Sequence, residues 1–134
     1  MYRLLGNDVL DTEELSKAIE SLTLLRVRED ISNATKRDDA AALRLELGIS
    51  ILGYDDSLEY EDEEVMNELM AKSDEYVKAQ LKDVVSKFGE YLAYDAYSYT
   101  FDEVSKSTLI VMAVMSTQNS YRKMRDVIKR LLTV

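Results

Sequence analysis

The chain has 134 residues, 46% hydrophobic and 32% charged, with a net charge of −9 and no histidine, cysteine or proline. This is the balance of one folded domain with its own core, not of a disordered segment. Without His and Cys, the Ser-His-Asp and Cys-His nucleophiles, thiol chemistry and the usual zinc and non-haem iron ligands are excluded.

The amino terminus, MYRLLGNDVLDTEE, has one arginine, a very short apolar run and then acid, which is not the pattern of a secretory signal. The longest apolar run, Leu109 to Met115, is far short of the roughly 20 residues that span a bilayer. The expectation is a cytoplasmic or virion-associated protein, not secreted and not in a membrane. Four glycines and no proline leave few residues for tight turns, which favours long helices over sandwiches or barrels.

In chain order, Asp11 and Glu14 resemble a capping box, and Leu15, Ala18, Ile19, Leu22 and Leu25 follow at helical spacing. They predict a first helix over about 11–33, with a strand as the lesser reading of Leu22–Val27. Residues 37–52 place Ala40, Leu43, Leu47 and Ile51 on one face and Ala41, Leu45, Ile49 and Leu52 beside it. This wide apolar arc predicts a mostly buried second helix, capped by Gly53.

Met66, Leu69, Met70, Val77, Leu81, Val84, Phe88 and Tyr91 hold one helical phase and predict a long third helix over about 61–96. Thr100 and Glu103 form a second capping-box pair. Val104, Val111, Val114, Tyr121, Met124, Ile128 and Leu131 predict a fourth helix over about 101–132, in which LIVMAVM is read as helix despite its strand propensity. The expected architecture is therefore all-α: one domain of about four helices with a long antiparallel hairpin. Tyr94, Tyr97, Tyr99 and Phe101 would pack the hairpin corner, with a binding patch as the alternative.

Charge is segregated. Residues 54–76 hold ten acids and one lysine, and the last fourteen residues hold five bases and one acid. Asp55, Asp56, Glu59, Glu61, Asp62, Glu63 and Glu64 form a candidate acidic docking face. Arg122, Lys123, Arg125, Lys129 and Arg130 form a basic end, which in the hairpin register would partly neutralise the lower part of the acidic segment. Glu61, Glu64 and Glu68 share a helix face that could bind Ca²⁺ or Mg²⁺ weakly, but DDSLEYEDEE lacks the EF-hand glycine and ligand spacing, so a solvated acidic face is expected. Gly6, Gly48, Gly53 and Gly89 are isolated, so no phosphate-cradling loop is present. The basic residues spread around their helix and the net charge repels phosphate, which disfavours nucleic acid.

These features lead to an expectation of a non-enzymatic protein without cofactor or metal. It would dock to a protein partner or to itself, as small subunits of larger assemblies do, viral and phage ones included. The runner-up is an acidic inhibitor that mimics nucleic acid on a basic partner. A weak carboxylate-metal enzyme comes third.

Overall fold

The segment AAALRLELG, Ala40 to Gly48, is apolar at nearly every position and contains three leucines in strict alternation. A segment covered on both faces shows such a run whether it is strand or helix. In the computed structural model, which describes residues 1–133, it is a strand at the centre of a sheet. The elements are β1 (Tyr2–Leu5), β2 (Asp8–Asp11), α1 (Thr12–Leu22), β3 (Arg26–Asp30), β4 (Ala40–Gly48), α2 (Glu63–Ser86), β5 (Leu92–Asp102), β6 (Ser107–Ser116) and α3 (Tyr121–Leu132). Short 3-10 turns occupy Ser32–Thr35 and Ile49–Leu52.

The chain is thus mixed α/β, with antiparallel sheets, and the all-α helical bundle is wrong. β1 and β2 form a two-stranded ribbon, and the other strands form a sheet in the order β3-β4-β6-β5. Pairing of β4 with β6 is unbroken from Ala40 opposite Met115 to Gly48 opposite Ser107. The expected second helix is β4 followed by the 3-10 turn at Ile49–Leu52, and the 3-10 turn at Ser32–Thr35 takes the end of the expected first helix. The expected fourth helix is β6, a turn and the shorter α3.

A hairpin does follow α2, but its arms are β5 and β6 rather than helices, and its turn lies at residues 103–106. Thr100 pairs with Leu109 inside the sheet, so Thr100 and Glu103 cap nothing. The turn needs no glycine: Lys106 takes the left-handed conformation at φ 52° and the Asp102 carboxylate accepts from Val104 N–H at 3.0 Å.

Alternation on the central strands builds two cores. Leu43, Leu45 and Leu47 of β4 and Ile110, Met112 and Val114 of β6 face Leu15 and Ile19 of α1 and Val77, Leu81 and Val84 of α2. Ala40, Ala42, Val111, Ala113 and Met115 face the other way, onto Met124, Val127, Ile128 and Leu131 of α3. So α1 and α2 lie on one face of the sheet and α3 on the other. Where α3 does not reach, Arg28 of β3 bridges Glu46 of β4 and Asp102 of β5, each at 3.0 Å.

Helix boundaries follow local chemistry. Asp11 caps α1 by accepting from Glu13 N–H, and Asp62 caps α2 by accepting from Glu64 N–H and Val65 N–H. α1 ends at Leu22, well short of residue 33, and α2 ends at Ser86, not near 96. Between α2 and the sheet sit three buried hydroxyls. Ser73 Oγ lies 2.7 Å from Ser98 Oγ and 2.8 Å from Thr108 Oγ1. This serine in the middle of the apolar face of α2 is met by polar groups from β5 and β6, as a buried polar group requires.

Candidate functional site

β3 and β5 are the two edges of the main sheet. β3 protects itself by being short and charged, RVRED. β5 is longer and aromatic, LAYDAYSYTFD, and is open to pairing by sequence alone. Its centre is nevertheless closed. Ala96 N–H donates to the Asp95 carboxylate at 2.8 Å, and Ser98 N–H donates to the Asp74 carboxylate of α2 at 2.7 Å. Two amides of the edge are therefore already satisfied by aspartates.

A bulge lies between Ser98 and Thr100. It decides where the tyrosines go. Tyr94 donates its hydroxyl to Lys78 O at 2.8 Å, and burial is the largest of the influences that raise its pKa. Tyr97 is 48% exposed and Tyr99 packs against the α3 core. Phe101, past the bulge and opposite Thr108, returns to the α2 side and lies 5.9 Å from the ring of Tyr60. The four aromatics are therefore not the corner of a helical hairpin, and they do not share one face.

α3 runs beside β5 and leaves a groove. Tyr97, Ile128 and Leu132 provide its apolar surface, and Lys78, Arg125 and Lys129 line it with charge, around a cavity of about 360 Å³. Asp95 also lines it, with one carboxylate oxygen bonded to Ala96 N–H. Tyr121, 73% exposed, stands at one end, with the Arg125 guanidinium 6.0 Å from its ring centre. A second hollow of about 290 Å³ continues past Tyr121 between Arg122, Arg125, Asp126 and Lys129.

The five basic residues predicted as one end thus divide. Arg122, Arg125 and Lys129 border the groove and its continuation. Arg130 is fastened elsewhere, donating to Thr35 O at 2.9 Å. Lys123 sits near Asp39, whose carboxyl is held below its usual range by hydrogen bonds from Arg37 and, more weakly, by the Lys123 charge.

The acidic residues divide in the same way. Asp62 is the helix cap, Asp56 pairs with Lys106 in the β5–β6 turn, and Asp55 accepts from its own Ser57, which holds its carboxyl below its usual range. Glu59, Glu61, Glu63 and Glu64 are exposed and make no ion pair among the described residues. Nor, among the described residues, does any ion pair join this segment to α3. The expected neutralisation fails because the sheet stands between α2 and α3.

Among the described residues no three acidic side chains converge on a point that could hold a metal. Glu68 is instead bonded to Lys72 at 2.9 Å and to the Tyr54 hydroxyl. Another hollow, of about 700 Å³, lies between the end of α1, the start of β3 and the β5–β6 turn. Its charges are of both signs, Glu20, Arg26 and Glu46. Among the described residues no helix is long and apolar enough to cross a membrane.

No family model matches the chain, and no curated protein or solved structure is similar to it.

Reading the sequence missed Lys78, Asp74 and Asp95. The first two lie four apart on one flank of α2, a spacing that puts both side chains over one neighbour. Only the placement of β5 beside that flank shows what they meet.

Proposed function

We propose that the chain is a non-catalytic docking protein, a subunit or adaptor that holds protein partners through two surfaces of opposite charge. One observation carries this reading. The groove with Arg125 and Lys129 and the segment with Glu59 to Glu64 lie on opposite sides of the sheet, and neither neutralises the other. Exposed ion pairs contribute only ~0.2–1 kcal/mol each, so such surfaces serve encounter and register more than fold stability. An apolar docking area is present as well. Tyr2, Leu4 and Val9 are 61–74% exposed on the ribbon of β1 and β2, and such clusters mark contact sites.

Glu59, Glu61, Glu63 and Glu64, exposed and unpaired among the described residues, favour a second reading: an acidic face that occupies a basic site made for nucleic acid. Crosslinking affinity purification from the native source tests both. The wild type is compared with R125E/K129E and with E59Q/E61Q/E63Q/E64Q. Docking predicts that at least one variant loses a specific crosslinked protein. Mimicry predicts that the lost protein is basic and is displaced by DNA from the wild type. If both variants keep every partner, the reading falls.

A further inference from the structure

We infer that the groove between β5 and α3 receives the acidic segment 54–64 of a second copy of this chain, so that copies join head to tail. The inference rests on the docking reading and names the partner.

The groove sets the chemistry of its occupant. Its cations, Lys78, Arg125 and Lys129, surround an apolar surface of Tyr97, Ile128 and Leu132. A fitting occupant is acidic and carries aliphatic or aromatic side chains between its acids. Residues 54–64, YDDSLEYEDEE, have this composition, with Leu58 and Tyr60 set among seven carboxylates. Tyr60 is 46% exposed even though it lies against Phe101.

The two surfaces cannot meet within one chain. The Asp56–Lys106 ion pair and the Tyr60–Phe101 contact hold the acidic segment at the β5–β6 turn. The groove opens on the α3 side, along the middle of β5. Two copies can satisfy what one copy cannot.

The edge of β5 decides how they meet. An open edge would favour a two-fold β5–β5 pairing, with the same strand on both sides. Asp95 and Asp74 already take the Ala96 and Ser98 amides, so the ladder such a pairing needs is interrupted at its centre. Contact then runs through side chains. A single groove-to-segment join leaves one groove and one segment free, and the assembly closes as a reciprocal two-fold dimer or a larger ring, or grows as a filament.

The test uses the full chain and two charge reversals. R125E/K129E disables the groove. E59K/E61K disables the segment and leaves the Asp62 cap and the Asp56–Lys106 pair in place. Circular dichroism first checks that both fold like the wild type. Sedimentation velocity is then run at about 50 and 500 mM salt, conditions that bracket the range over which screening shortens from more than 10 Å to a few ångströms. The wild type is expected to assemble at low salt and to lose mass at high salt. Each variant alone is expected to be monomeric. Their equimolar mixture is expected to stop at the dimer, since only one intact groove and one intact segment remain to meet.

A wild type that stays monomeric at every concentration overturns the inference, and so does a mixture of variants that stays monomeric or a variant that assembles like the wild type. Single-stranded DNA bound by the wild type and lost in R125E/K129E also overturns it, by assigning the groove to phosphate. If the wild type is monomeric but R125E/K129E loses a crosslinked partner, this inference fails and docking stands. If the wild type is monomeric and neither R125E/K129E nor E59Q/E61Q/E63Q/E64Q loses a partner, both fail.

Discussion

Ser73 is the residue whose removal should be most informative about the fold. Its Oγ is the common neighbour of Ser98 Oγ at 2.7 Å and Thr108 Oγ1 at 2.8 Å, and all three residues are at most 2% exposed. Ser73→Ala deletes the shared partner and strands two hydroxyls. Thr108 keeps only a long contact of 3.5 Å to Leu47 O. A buried polar group left without a partner costs about 1–3 kcal/mol, so the variant should lose about 2–4 kcal/mol, with the upper end reached only if Ser98 finds nothing else.

Replacing all three groups, S73A/S98A/T108V, removes the polar atoms together and leaves nothing stranded. The triple variant should therefore be more stable than Ser73→Ala alone, a strong departure from additivity. Urea unfolding followed by circular dichroism measures both, with an unchanged slope confirming that the same surface is exposed. A loss below about 0.5 kcal/mol for Ser73→Ala, or a triple variant that loses the sum of the three single losses, would refute the account.

Acid should act partly through Asp30. Partial removal from water would raise its pKa, but hydrogen bonds from Ser32 and Thr12 outweigh this and hold it below the usual value. A carboxyl depressed in the folded state contributes stability above its unfolded pKa, and that contribution is lost as pH falls from about 4 through the lower folded value. Asp30→Asn should therefore flatten the decline in stability below about pH 4, read by thermal melts across pH 2–6. Leu81→Ala, in the core at 0% exposure, should cost about 2–5 kcal/mol, whereas Tyr97→Ala, 48% exposed, should cost under about 1 kcal/mol. Comparable losses at the two positions in urea unfolding would place Tyr97 in the core and contradict its position on the groove.

The parts of the fold legible in the sequence are those governed by local chemistry. Asp11 does cap a helix, and Leu69, Val77, Leu81 and Val84 do line one face of another. The segregation of charge and the absence of histidine and cysteine are properties of composition alone, and they stand whatever the topology. Which segments become strands was decided elsewhere. Residues 40–48 and 107–116 are apolar on both sides because helices cover both faces of the sheet, and a segment so covered has little period to display. What makes them strands is pairing with each other, Ala40 with Met115, across a distance in sequence that no local window contains. The scarcity of glycine and proline pointed to helices because turns without them were not anticipated, yet Lys36 and Lys106 adopt the left-handed conformation themselves. The groove is likewise a product of topology. Lys78, Tyr97 and Arg125 come from α2, β5 and α3, and only the order of the strands, with β5 at the edge and α3 crossing behind it, brings them to one place. The same sheet keeps the acidic segment and the basic helix apart, because a packed layer of side chains and backbone stands between charges that the sequence alone had seemed to pair.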